Sequence, residues 1–182
     1  MEESNPVCSK TVHQARVEVF MRRCGQSVPT LPTLPPADVL RLRARLILEE
    51  ALETAAALGF SLVDHHGVAL STKAAPLVIN GGPCTTIGNL IVRPVTPNLE
   101  AIVDGCADLS VVAIGTLSAC GVADVDVLAE VDRNNLAKFE RGARPDNGGK
   151  LIKPVDHPPP DLHGVLRRQG WKGESNDAAV PA

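Results

Sequence analysis

Three carboxylates crowd the stretch LILEEALETA at residues 46–55: Glu49, Glu50 and Glu53. On a helix, residues three or four apart are neighbours, so Glu50 meets Glu53 and Glu49 also meets Glu53. They sit beside Leu46, Ile47, Leu48 and Leu52, where an apolar helix would not be expected to carry acid. A second acidic stripe follows at Asp104 and Asp108, four apart, with Glu100 one turn earlier. It too is set among apolar residues: Ile102, Val103, Cys106 and Leu109. If both stretches are helices packed antiparallel, the two stripes can face each other. Like charges on one helix face cost a few tenths of a kcal/mol per exposed pair, roughly, and more when buried. A cation removes that cost, and an oxygen-only donor set suits Mg²⁺ or Mn²⁺. Glu50, Glu53, Asp104 and Asp108 are the candidate ligands. Each stripe taken alone reads more readily as a solvated helix face, and it is their pairing that favours a metal.

A third group lies in EVDRNNLAKFERG and the segment after it. Arg133, Asn134, Asn135 and Lys138 fall near the end of one helical pattern, with Asn135 and Lys138 three apart and so on one face. GGKLIKP adds Lys150 and Lys153. Cations and an amide beside a carboxylate-held metal suit a polyphosphate. Lysines at a helix end are also simply favoured by the helix dipole. A carboxylate-bridged di-iron bundle would need Glu-x-x-His on paired helices. Neither Glu53 nor Asp108 has a histidine three residues on.

The elements that must carry these residues are mostly helical. Val12, Ala15, Val19 and Phe20 repeat at helical spacing over residues 10–25, with Gly25 as a stop. SVPTLPTLPPAD is an extended connector with four prolines. A second helix should then run from about Pro36 to Leu58, ahead of Gly59. SLVDHHGVAL, PLVIN and NLIVRPV are short β-prone runs broken by Gly, Pro and Asn, which predicts a small hairpin or loop insert over residues 60–95. A third helix is expected from Asn98 to Cys120, with Leu99, Ile102, Val103, Cys106, Leu109, Val112 and Ala113 as a broad apolar face. A fourth ends at Gly142, and from Ala143 the chain is a Gly- and Pro-rich arm. The expected fold class is all-α: an antiparallel helix bundle with a hairpin or loop insert between the second and third helices. One domain should cover residues 1–162, with a flexible tail over 163–182.

Composition narrows the partners. Aromatic residues make up 2% of the 182 residues, and tyrosine is absent, so the core must come from Leu, Val, Ile and Ala. A net charge of −3 argues against nucleic-acid binding through a broad basic surface. The five cysteines include no CxxC pair. Cys106 and Cys120 read as reduced core thiols, the pattern of a cytoplasmic protein. The acidic, polar N-terminus is not a signal peptide, and no apolar run of about 18 residues predicts a membrane span.

LRARLILEEALETAAAL, EAIVDGCADLSVVAIGTLSACG, EVDRNNLAKF and GGKLIKPVDHPPPDL, in that order, resemble the all-α nucleoside triphosphate pyrophosphohydrolases, the MazG-like and phosphoribosyl-ATP pyrophosphohydrolase-like proteins. The resemblance spans about residues 12–162, apart from the insert. It implies hydrolysis of a nucleoside triphosphate to its monophosphate and pyrophosphate, with Mg²⁺ or Mn²⁺ as cofactor. On that mapping Glu50 and Glu53 are metal ligands, and Glu49 is a ligand or orients the attacking water. Asp108 matches the second acidic motif. The family's usual ExxD is altered, because Gly105 stands three before Asp108 and the acid is at Asp104. Asn135 and Lys138 match phosphate-side residues. The resemblance also implies a dimer or tetramer in which partner chains complete the sites, and no membrane partner. A phage member would work in the host cytoplasm. Some phage members act on dGTP and GTP, which points to a purine triphosphate, with His65, His66 or Asn80 as possible readers of the base. Two alternatives stand beside this one: a non-catalytic metal- or nucleotide-binding bundle, and a phosphoribosyl-ATP hydrolase of histidine synthesis, against which the long insert speaks.

Overall fold

The structure, a computed structural model, describes residues 9–63, 91–94 and 96–173. In chain order the described elements are α1 (Val12–Arg23), α2 (Ala37–Ala57), β1 (Phe60–Val63), β2 (Ile91–Pro94), α3 (Leu99–Ala119), α4 (Asp124–Glu140), β3 (Arg144–Pro145), β4 (Leu151–Ile152) and α5 (Leu162–Arg168). The fold is all-α, with two small two-stranded ladders. The first four helices lie within two or three residues of their expected bounds. The contacts divide the chain into two compact units, residues 35–116 and residues 1–34 with 117–182.

The unit of residues 35–116 is a helical hairpin spanned by the insert. β1 and β2 pair antiparallel, Phe60 with Pro94 and Val63 with Ile91, and so form the base of the expected insert. Asn98 N–H donates to Ala57 O and ties the start of α3 to the end of α2. Further along, Gly105 of α3 packs on Thr54 of α2, and Asp108 faces Glu50. Partner numbers fall on α2 as they rise on α3, so the two helices run antiparallel. Val112 and Ile114 are buried, but the expected apolar face of α3 is not buried throughout. Leu99 is 76% exposed and Val103 62%. Cys106 is exposed as well, so it is not the core thiol its pattern suggested. Periodicity identifies an apolar stripe; it does not say what covers it. By length and composition α3 is also apolar enough to cross a membrane, although the sequence showed no uninterrupted apolar run. It carries Asp104 and Asp108, which are costly in hydrocarbon.

The other unit is built around a buried polar cluster. Thr11 caps α1, its Oγ1 accepting from Gln14 N–H. The same hydroxyl donates to the fully buried carboxylate of Asp124, which also accepts from Thr11 N–H at 2.8 Å. The Gln14 side chain, fully buried, donates to Ser118 Oγ and Val122 O and accepts from Asp124 N–H. α4 begins at Ala123 without a cap of its own, and Gln169 supplies one: Oε1 accepts from Ala123 N–H while Nε2 donates to Ala123 O. Every polar group in this cluster is therefore answered, the condition under which burying it is tolerable. Val17, Met21, Ala119, Val122 and Val165 fill the space around it. α5 lies inside the stretch expected to be a flexible tail. Asp161 caps it by accepting from Gly164 N–H, and Val165 and Gln169 bury its inner face. Residues 174–182 of that stretch lie outside the described residues.

Candidate active site

α2 sets Glu49, Glu50 and Glu53 over little more than one turn. Glu49 and Glu50 are half-buried, and Glu53 is exposed. The antiparallel register brings α3 alongside, and Asp104 and Asp108 are exposed on it. The convergence shows in the electrostatics of Glu50. Its carboxyl is pushed above the usual carboxylate range, first by burial, then by the charges of Asp108, Glu53, Glu49 and Asp104. Acids from two helices thus act on one group, and the most strongly felt charge comes from the opposite helix.

Gly105 explains how the helices come so close. A Cβ there would stand 2.5 Å from Thr54 Oγ1 and 3.2 Å from Thr54 Cα. Thr54 is buried and its hydroxyl donates to Glu50 O at 2.7 Å. A glutamate at this position would be driven into α2. Only glycine fits here, and the neighbouring acid is Asp104, one residue earlier.

The donor set is all oxygen, with acids that repel one another, and so its chemistry fits a hard divalent cation. The side chains are not already drawn into a ligand shell. Among the described residues no group of three His, Cys, Asp or Glu side chains is arranged to hold a metal. Closure on an ion would require rotamer changes, which exposed carboxylates make cheaply. Beside Asp104 an open cleft of about 540 Å³ runs along the first half of α3, lined by Asn98, Glu100, Ala101, Val103 and Ala107.

A family model described as phosphoribosyl-ATP pyrophosphohydrolase matches residues 17–135, well over half of the chain. The chain belongs to this family. The phosphoribosyl-ATP pyrophosphohydrolase family lies within the MazG-like NTP pyrophosphohydrolase superfamily, and its members hydrolyse phosphoric anhydride bonds. The chain is thus a nucleotide pyrophosphohydrolase by family, and a nucleotide is its class of substrate. No individual curated protein matches the sequence. The match to the phosphoribosyl-ATP pyrophosphohydrolase model takes in both acidic stripes, Asn135 and the start of α4, and stops short of Lys138, Lys150 and Lys153.

Those cationic candidates stand in different circumstances. Arg133 is engaged: its guanidinium donates twice to Glu130, at 2.9 and 2.7 Å. Glu130 Oε1 also accepts from Asp161 N–H at 2.7 Å. These bonds, that from Arg133 first, hold the Glu130 carboxyl down at about 2, and the partnership raises Arg133. Lys138 Nζ donates to Asn135 Oδ1, so these two do share a face. Lys150 and Lys153 are exposed on and just after the β3–β4 hairpin. The hairpin turn is held by Asp146 Oδ1, which accepts from Gly148 N–H and Lys150 N–H. Reasoning from the sequence missed Glu130, and it noted Asn134 beside Asn135 without giving it a role. Glu130 precedes Arg133 by three, a spacing that signals a helical ion pair. For Asn134, buried at 4% exposure beside the exposed Asn135, sequence spacing offered no signal. His65, His66 and Asn80 lie outside the described residues.

Proposed function

We propose that the protein is a Mg²⁺- or Mn²⁺-dependent pyrophosphohydrolase of a purine nucleoside triphosphate, dGTP or GTP foremost. Water attacks the α-phosphorus, the bond from that phosphorus to the α–β bridging oxygen breaks, and the products are the monophosphate and pyrophosphate. The observation that carries this reading is the close approach of α3 to α2 at Gly105 and Thr54, which brings the charges of Asp104 and Asp108 to bear on Glu50 beside Glu49 and Glu53. Glu50, Glu53, Asp104 and Asp108 would hold the ion. When bound, it would supply positive charge to the phosphoryl oxygens, the main need of a transition state dominated by positioning and electrostatics. Glu49, half-buried beside Glu50, orients the attacking water and takes its proton. Asn135, Lys138, Lys150 and Lys153 take the charge of the departing phosphates. Arg133, paired with Glu130, has the weaker claim to that role. Ala101, Val103 and Ala107, along the open depression beside Asp104, offer a base an apolar face in this reading.

The protein works as a homo-oligomer in this reading, and Leu99 and Val103 on α3, with Val12, Val19 and Phe20 on α1, all about half to three-quarters exposed, are apolar side chains that a partner chain could cover. Its place of action in this reading is the cytoplasm, which Cys24 and Cys106, both without a disulfide, suit.

A second reading is favoured by the family description: the substrate is phosphoribosyl-ATP. The chemistry is the same, hydrolysis between the α and β phosphates of an adenine nucleotide. One panel separates the two. Purified protein is incubated with each (d)NTP and with phosphoribosyl-ATP, with Mg²⁺ or Mn²⁺, and the products are resolved by chromatography. Monophosphate and pyrophosphate, with the highest kcat/KM on a purine triphosphate, support the first reading. Preference for phosphoribosyl-ATP replaces it with the second. Diphosphate and phosphate contradict both, and metal binding without turnover leaves a non-catalytic bundle.

A further inference from the structure

The β3–β4 hairpin turns through Asp146, Asn147, Gly148, Gly149 and Lys150. Gly149 N–H donates to Asp146 O, and Gly149 alone in the turn has a positive φ, 82°. This is the pattern of a three-residue hairpin loop closed by a left-handed glycine. The left-handed position accounts for Gly149 and not for Gly148. The φ of Gly148 lies outside that region, and a Cβ there would meet only Asp146 Oδ1, at an ordinary 3.4 Å. What the glycine at 148 does leave is a main-chain nitrogen with no side chain to shield it. That nitrogen follows Asn147, which is exposed and whose amide makes no hydrogen bond among the described residues.

Asparagine is a chemically labile residue, and a following glycine removes the steric barrier to its loss. The Gly148 nitrogen gives up its proton and bonds to Asn147 Cγ. The Cγ–Nδ2 bond breaks, and ammonia leaves with that proton. Solvent water then opens the five-membered imide. Breaking the bond between Cγ and the Gly148 nitrogen gives aspartate; breaking the bond between the main-chain carbonyl carbon of residue 147 and that nitrogen gives isoaspartate. In sum an amide and a water become a carboxylic acid and ammonia, with no oxidant or reductant. In the fold, however, the attacking nitrogen is engaged. Gly148 N–H donates to Asp146 Oδ1 at 2.9 Å, and the same oxygen accepts from Lys150 N–H at 2.8 Å. While that bond stands, the proton lies against a negative charge, which opposes forming an anionic nitrogen, and the peptide plane is held away from Cγ.

We propose that Asn147 is a site of non-enzymatic deamidation and that the Asp146 carboxylate restrains the reaction by holding the attacking nitrogen of Gly148. Conversion adds a negative charge at residue 147. The isoaspartate product also adds a carbon to the main chain, inside the loop that sets the register of Arg144 with Ile152. Neither step involves the acids of α2 and α3.

The test follows the full chain at one pH and temperature, folded and in guanidinium chloride. The peptide containing residue 147 is read by mass spectrometry, with its aspartate and isoaspartate forms separated by chromatography. Conversion should be about three- to tenfold slower in the folded protein, as the loss of one hydrogen bond to a carboxylate in an exposed turn implies. Folded Asp146→Ala should convert at least about threefold faster than the folded parent. Asp146→Asn, whose amide oxygen can still accept, should stay closer to the parent than to the alanine variant. Gly148→Ala, which the turn has room for, should slow conversion in both states. A folded parent as fast as the denatured chain would overturn the restraint. So would an alanine variant no faster than the parent, or an asparagine variant no slower than alanine. Absence of conversion at residue 147 in the denatured chain would overturn the site itself. Comparing the folded and denatured parent needs no variant, so that arm decides even if Asp146→Ala does not fold.

Discussion

Gly105→Ala adds one methyl group at the closest approach of α2 and α3. The new Cβ would stand 2.5 Å from Thr54 Oγ1 and 3.2 Å from Thr54 Cα and Cβ. Comfortable separation for such atoms is about 3.5 Å or more. Thr54 cannot simply turn away, because its hydroxyl is bonded to Glu50 O and its Cα is backbone. The helices must part by roughly 1 Å. Overpacking of this kind costs about 1–3 kcal/mol. Alanine in place of glycine within a helix returns about 1 kcal/mol. The net loss of stability is then about 0–2 kcal/mol, a small fall in Tm. The loss of function is larger, because displacing acting groups by 1 Å costs about a hundredfold in rate. Chemical denaturation and turnover on the same preparation give the two values. Adding Thr54→Ala removes the oxygen contact but not the one to Cα, so activity should recover in part. A Gly105→Ala enzyme with parental turnover would refute the claim that this contact sets the spacing of the acids.

Other expectations concern single groups. Glu50→Gln and Asp108→Asn should each abolish turnover in the chromatographic assay while leaving the circular dichroism spectrum and Tm close to those of the parent. Because the Glu50 carboxyl is raised in the fold, the metal-free protein should lose stability as pH rises from about 4.5 through the folded value; melts across that range should show this, and Glu50→Gln should not. Glu130 behaves oppositely. Its contribution should be complete above the ordinary value of 4.5 and vanish as pH falls through about 2, so the Tm difference from Glu130→Gln should close over that window. Gln169→Ala leaves the N–H of buried Ala123 unanswered and should cost about 1–3 kcal/mol, read by denaturant melts.

The helices were legible because their signals are local. Gly25 after α1, Gly121 after α3 and Gly142 after α4 mark ends that the structure respects. Val122 N–H reaches back to Leu117 O, and Ala143 N–H to Lys138 O, closures that place the intervening glycine at positive φ. The facing of two acidic stripes was legible from spacing once α2 and α3 were taken as antiparallel. α5 carried the same kind of signals, Asp161 before it and Gly170 after it, but the prolines and polar tail around it masked them. Long-range polar pairs were not legible. Gln14 and Asp124 lie far apart in sequence, and nothing local to either states that one needs the other. The departure from ExxD could be seen in the sequence, but its cause, Thr54 under Gly105, belongs to packing. The exposed stripe of Leu99 and Val103 shows the same boundary, since an apolar period records that a face is to be covered and not by which surface.

Manganese binding, followed by the loss of the free Mn²⁺ electron paramagnetic resonance signal, tests most directly whether two helices share one ion. The account expects the full-length protein to take up Mn²⁺, and Glu50→Gln on α2 and Asp108→Asn on α3 each to weaken uptake by at least about tenfold, or 1.4 kcal/mol. Parental affinity in either variant would mean that the acids of the two helices do not hold a common ion, and the site assigned to them would be wrong.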